Sequence, residues 1–256
     1  MDFNEFKNDC QAFIFNWHRV SANAKVLQKQ FSDMGIDTYV INSDESENDN
    51  GLANWVNIGE SGYMVQQYGK AIECFNKTYF LEMFADIYDV EAELILKRAW
   101  YTFNKYNCGI YAPNVDYNFW NFDREKIPKL EENLYEVKNP ESLLSFIHKD
   151  VLQGVYLNTD KYTIGWGIDF LVCVRAYLEQ KLVIRDYITT IRHPKGSTYD
   201  NKKAYEEWGQ FIDDQSDEVA GLMKQWQNDA LSLIIKQPTN LTLLQKVKSV
   251  IRSLLR

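Results

Sequence analysis

Residues 164–169 read IGWGID. Gly165 and Gly167 let the backbone turn tightly and come close to a ligand. Trp166, between them, offers an apolar ring face. Asp169 then opens the apolar segment FLVCVRAYLEQ. A carboxylate placed there can take a proton from a hydroxyl within hydrogen-bond reach. It can equally cap the helix, and the two roles are compatible. A second carboxylate, Asp86, closes the run TYFLEMFAD. His193 follows the run LVIRDYITTI and precedes Pro194 and Lys195. Arg19 and Asp44 stand just beyond two more apolar runs, QAFIFNW and DTYVIN.

Those polar residues need elements to hold them. QAFIFNW, DTYVIN, NWVNIG and TYFLEMFAD read as buried strands, and VSANAKVLQKQFSDMG and SGYMVQQYGKAIECFN between them show helical spacing. Strands alternating with helices predict a mostly parallel sheet with helices on both faces. In such sheets ligands sit at the carboxyl ends of strands. Trp17-His18-Arg19, Ser43-Asp44 and Asp86 all fall on those ends. DVEAELILKRAWYTFNKY reads as a long amphipathic helix, CGIYAPNVD and NLYEVKNPES as strands with turns, and SLLSFIHKDVL as a short helix carrying His148. Arg185 and Asp186 read as a structural ion pair. From Asp200 the pattern is helical and charged, which divides the chain into residues 1–200 and a helical extension over 201–256.

Composition narrows the function. With 256 residues and 45% hydrophobic content the chain can bury a large core. A net charge of −8 argues against a nucleic-acid surface. Cys10, Cys74, Cys108 and Cys173 contain no C-x-x-C pair and fit reduced thiols in the cytoplasm. The N-terminus is acidic and polar, unlike a secretory signal, and no run of about 18 apolar residues occurs. Neither a G-x-G-x-x-G turn nor a phosphate loop nor a G-x-S-x-G elbow is present.

The order of parts over roughly 13–199 resembles a GT-A fold glycosyltransferase, of the broad kind grouped with family-two bacterial polysaccharide transferases. FNWHRVSANAKVLQKQF resembles its opening strand, turn and helix, YVINSDES its second strand, and GYMVQQYGKAIECFNKTYFLEMFADIYD the helix and strand that deliver a D-x-D-like site. GIYAPNVD and GWGIDFLV resemble the acceptor-side turn and the helix that bears the base. The resemblance implies an inverting, metal-dependent transfer of a hexose or galactofuranose-like sugar from a nucleoside diphosphate, UDP above all. The acceptor would be a glycan or a lipid-linked sugar. Asp86 would hold Mn²⁺ or Mg²⁺, whose oxygen preference suits one carboxylate plus phosphate oxygens and waters. Its alternative is a helix N-cap. His193 is the candidate second ligand or a surface histidine, and Lys195 could neutralise the diphosphate. Arg19 and Asp44 would meet the nucleotide, Trp166, Asp116 and Trp120 the acceptor, and Asp169 would be the base. A strict D-x-D needs an acid at position 88, where Tyr88 stands. That departure keeps a rival open, a catalytically silent glycan-binding or scaffold module of the same fold.

The final segment LTLLQKVKSVIRSLLR is amphipathic, with four basic residues and no acid. It reads either as a helix closing on the domain or as an interfacial helix on an anionic membrane. The second reading places the protein in the cytoplasm at the inner face of the cell membrane.

Overall fold

The structure is a computed structural model that describes residues 1–48, 51–60, 62–194 and 200–235. Helix α1 (Phe3–Asn8) starts on a capping box, in which Asp2 accepts from the amides of Asn4 and Glu5 while Glu5 accepts from the amide of Asp2. Then come β1 (Cys10–Asn16), α2 (Ser21–Asp33), β2 (Asp37–Asn42), β3 (Trp55–Asn57), α3 (Met64–Cys74), β4 (Tyr79–Phe84), α4 (Ala92–Lys105) and β5 (Cys108–Val115). After these run β6 (Lys129–Glu131), β7 (Leu134–Glu136), β8 (Leu144–His148), α5 (Lys149–Leu152), α6 (Ile168–Leu178), β9 (Leu182–Ile191), α7 (Asn201–Asp213) and α8 (Asp217–Leu233).

One nine-stranded sheet runs in the order β3-β2-β1-β4-β8-β5-β9-β7-β6. The α/β class agrees with the sequence reading, but the sheet is mixed. The β3-β2-β1-β4 unit and the β5-β9 pair are parallel; the other four pairings are antiparallel. Of the segment SLLSFIHKDVL, Leu144–His148 form the strand β8 at the centre of the sheet, and only Lys149–Leu152 turn as the short helix α5. Leu144–Ile147 are buried on both faces, and such a run lacks the period-two alternation that marks a half-exposed strand.

Alternate side chains of β1 feed two cores. Ala12 and Ile14 meet α2 and α4 through Leu27, Phe31, Ile95 and Leu96. Phe13 and Phe15 meet α3 and α6 through Val65, Tyr68, Phe170 and Val172. Phe211 of α7 and Met223 and Trp226 of α8 belong to that second core, so the described part of the extension packs on α6. Lys195 and the basic segment 241–256 lie outside the described residues. Among the described residues no helix is long and apolar enough to cross a membrane.

Arg185 and Asp186 do not pair with each other, because neighbours along a strand point to opposite faces. Arg185 Nη1 donates to the Trp120 carbonyl at 2.6 Å, and Asp186 Oδ2 takes Arg98 Nε at 2.6 Å. Just beyond, Pro113 is in register with Asp186 but Asn114 with Thr190. Tyr187, Ile188 and Thr189 therefore bulge out of β9 opposite β5.

Candidate active site

The carboxyl ends of β1, β2 and β3 are joined by amides. Asn16 Nδ2 donates to Asn42 Oδ1 at 2.7 Å and to Ser21 Oγ at 2.9 Å, and Asn42 Nδ2 donates to Asn57 Oδ1 at 2.8 Å. Asp44 is buried beside them. It accepts from Ser21 Oγ at 3.0 Å, Ser46 Oγ at 2.6 Å and the Ser46 amide at 3.1 Å. Burial pushes its carboxyl up, but the Ser46 and Ser21 hydrogen bonds outweigh that and hold it below the usual value. Asp44 thus fixes the turn after β2 and stays ionised. His18 Nδ1 is 3.7 Å from Asp44 Oδ1, and the exposed Arg19 takes the left-handed conformation, φ +78°, just past β1. The three asparagines were not legible as site residues, since each lies inside or at the end of an apolar strand with no motif around it.

The end of β4 meets the end of β9. His193 Nε2 lies 3.4 Å from Asp86 Oδ2, with both side chains about one-fifth exposed. Tyr88 and Arg192 exchange two backbone hydrogen bonds at 2.9 Å and hold the two strand ends in place. The residue that breaks the D-x-D pattern is therefore the backbone clamp for the pair. Asp116 completes the group, its Oδ1 accepting from the His193 amide at 2.9 Å. Burial alone would lower the imidazole, but the Asp86 hydrogen bond and charge win, and His193 is raised above the ordinary histidine value. The backbone of Tyr117 pushes it the same way. Asp86 is not a helix cap: the residue before α4 is Glu91, and Asp89 sits at φ +58° near Arg192.

Asp169 lies in the first turn of α6, after Gly167 at φ +97°. Asn139 Nδ2 donates to its Oδ2 at 2.5 Å. Burial raises its carboxyl, opposed by Asn139 and by the amides of the helix start. Two further acids crowd it. Glu141 is raised to about 7 by burial and then by the Asp169 charge, and it accepts from the Phe119 amide at 2.9 Å. It also stands at φ +62°, a conformation uncommon outside glycine and typical of built sites. Glu82 of β4 is likewise raised to about 7, chiefly by burial, against hydroxyls of Ser145, Tyr68 and Ser142. Glu141 also adds to the field at His193, so the Asp86 and Asp169 sides are electrostatically connected through it. Glu141 and Asn139 went unnoticed because KNPES reads only as a turn.

The aromatics expected on the acceptor side are placed differently from one another. Trp166 is half-buried, met edge-on by Tyr205 at 4.9 Å and by Trp208 at 6.3 Å, both from α7. Trp120 is buried, with its ring 5.2 Å from that of Phe170, so it backs the core and presents no open face. Its neighbour Phe119 is 62% exposed.

Asp86 Oδ1 and His193 Nδ1 are both buried without a hydrogen-bond partner. Among the described residues no three His, Cys, Asp or Glu side chains converge as a complete metal cage. Two protein ligands suit Mn²⁺ or Mg²⁺, which keep waters and bind substrate phosphates, and Asp86 and His193 fit that role. A proton on His193 competes with a cation there.

The sheet order and the helix layers form a GT-A-like glycosyltransferase fold. A solved structure that shares it is a crystal structure of GalNAc-T7 with UDP, GalNAc and Mn²⁺, at a TM-score of 0.57 and 10% sequence identity. The likeness covers 95% of this chain and 54% of that one, so this chain spans about half its length. No family model and no curated protein matches the sequence.

Proposed function

We propose that this protein is an inverting, metal-dependent glycosyltransferase acting on a nucleoside-diphosphate sugar. The observation that carries the reading is the Asp86–His193 pair, a cation-compatible group at the strand ends of a GT-A-like sheet. The similar structure was solved with UDP and Mn²⁺, which supports a UDP-sugar donor and that metal. Asp86 and His193 would hold the cation, which supplies charge neutralisation for the departing diphosphate. Arg19, beside the turn that Asp44 holds, would meet the nucleotide. Asp169 takes the proton of the attacking acceptor hydroxyl. As that oxygen bonds to the anomeric carbon, the bond from the carbon to the diphosphate oxygen breaks, with inversion. Burial that raises the Asp169 carboxyl brings its basicity closer to that task. The acceptor is a glycan or a lipid-linked sugar, as in surface polysaccharide assembly; the basic sequence 241–256 supports a setting at the inner face of the membrane.

Release of UDP from a set of UDP-sugars, with and without Mn²⁺, tests the reading in the wild type, Asp86→Asn and Asp169→Asn. Mn²⁺-dependent turnover is expected in the wild type. Asp169→Asn should reduce it by about 10²- to 10⁴-fold. No metal-dependent turnover with any donor would overturn the proposal.

A further inference from the structure

The carboxyl end of β5, the loop after it and Tyr187 of β9 line a cleft of about 670 Å³ that shares Asp116 with the Asp86–His193 group. Its polar lining includes Asn114, Asp116, Asn118, Asn121, Arg124 and Tyr187. The bulge in β9 brings Tyr187 into this lining. Bulges in parallel pairs are rare, and bulges of any kind concentrate beside active sites. Asn118 Oδ1 and Tyr187 Oη, from two residues of this lining, are buried without partners. The exposed ring of Tyr117, from the loop after β5, lines this wall. That loop is tied by the Phe119 amide to Glu141, the acid beside Asp169.

We propose that this cleft is the acceptor subsite and that it takes a neutral saccharide. The inference rests on the glycosyltransferase reading for its reaction but not for its binding chemistry. Side-chain amides donate and accept while carboxylates accept, so each can engage a pair of neighbouring hydroxyls. The exposed aromatic ring supplies an apolar surface for the C–H face of a pyranose. Charge sets the class. Asp116, Asp123 and Glu125 line the cleft against the single guanidinium of Arg124, which itself lies 5.1 Å from the centre of the Tyr187 ring. A uronate or a sugar phosphate would meet net repulsion there. In volume the cleft matches ordinary small-ligand sites. Since Asp116 holds the backbone of His193, a sugar bound here lies against the donor's metal side.

Saturation-transfer NMR on the full chain tests this with a mixture of neutral disaccharides and, as the charged arm, a disaccharide containing a uronic acid. Binding of a neutral disaccharide is expected, weakened about tenfold by Tyr117→Ala and again by Asn121→Ala. Both residues are exposed, so thermal unfolding should hardly change. UDP affinity should be the same in both variants. Neutral disaccharides that bind equally well to both variants, a uronic acid that binds as tightly, or no neutral binding at all would overturn the subsite. UDP-sugar turnover is measured on the same samples. Turnover with an unchanged acceptor KM in both variants would sink the subsite alone, whereas saccharide binding without any turnover would sink the enzymatic reading alone.

Discussion

The Asn139 side-chain amide donates to Asp169 Oδ2 at 2.5 Å, and its own Oδ1 accepts the Glu141 amide at 2.7 Å. One buried asparagine therefore orients the proposed base and shapes the strained turn that carries a second acid. Replacing Asn139 by Leu removes a hydrogen bond that favours the ionised form of Asp169. With burial unopposed on that side, the carboxyl rises further. A base works only when deprotonated, so the acid limb of the kcat/KM profile should move to higher pH. Activity should fall about tenfold on the acid side and recover on the alkaline side. A uniform loss at all pH values would mean that Asn139 only supports the fold.

Glu82 predicts a stability effect of defined sign. Its folded value of about 7 stands above 4.5, the ordinary glutamate value. Between those values the folded chain keeps a proton that the unfolded chain releases. Stability must then decline as pH rises from about 4.5 to about 7, by about 3 kcal/mol, and level off above. Glu82→Gln removes the ionisation and should gain on the wild type by about that amount across the window. Urea unfolding at several pH values gives the difference directly; parallel curves would contradict it.

Asp186 is fully buried and relies on Arg98 at 2.6 Å, with Tyr111 Oη at 3.1 Å and the Ile188 amide at 2.9 Å as further donors. Arg98→Met leaves that charge uncompensated and should cost about 3–5 kcal/mol. Adding Asp186→Asn removes the stranded charge and should restore a good part. Melting temperatures of the single and double variants decide this, and a double variant below the single would refute it.

Gly165 and Gly167 should not respond alike to alanine. Both have positive φ. A Cβ on Gly167 would fall 2.6 Å from Trp208 Cδ1, in a rigid indole, whereas on Gly165 the nearest atom is Cγ of the flexible Met64 at 2.7 Å. Gly167→Ala should destabilise by roughly 2–3 kcal/mol, more than Gly165→Ala, and should shift tryptophan fluorescence as α7 is pushed off. Equal effects would mean that the backbone conformation alone matters.

Much of this architecture was legible in the chain. The runs QAFIFNW, DTYVIN and TYFLEMFAD became the parallel strands β1, β2 and β4 because apolar runs bounded by polar turns leave few options. The ends of those strands were then readable as the edge of a candidate site, and Asp86 and His193, 107 residues apart in sequence, meet at the end of β4. β8 was not legible, since a strand buried on both faces has the same apolar content as a buried helix turn. Asn139 and Glu141 were not legible for another reason. Their roles come from long-range contacts with Asp169 and Phe119, and no local pattern records a contact across the fold. Trp120 shows the converse limit: an aromatic beside a turn can face inward as readily as outward.

The sheet order imposes a sequence of events on synthesis. β1 to β4 pair with one another within the first 84 residues, leaving only the far edge of β4 to wait for β8, so this unit can pair as it leaves the ribosome. β5 has only β8 and β9 as neighbours and must wait for both. The contact between Glu82 and Ser145 closes that gap, and His193 reaches Asp86 later still. A chain arrested after β4 would carry the strand ends around Asn16 and Asn42 without Asp169 and His193, which makes translation pausing between residues 84 and 193 the point at which the protein is most exposed to misassembly.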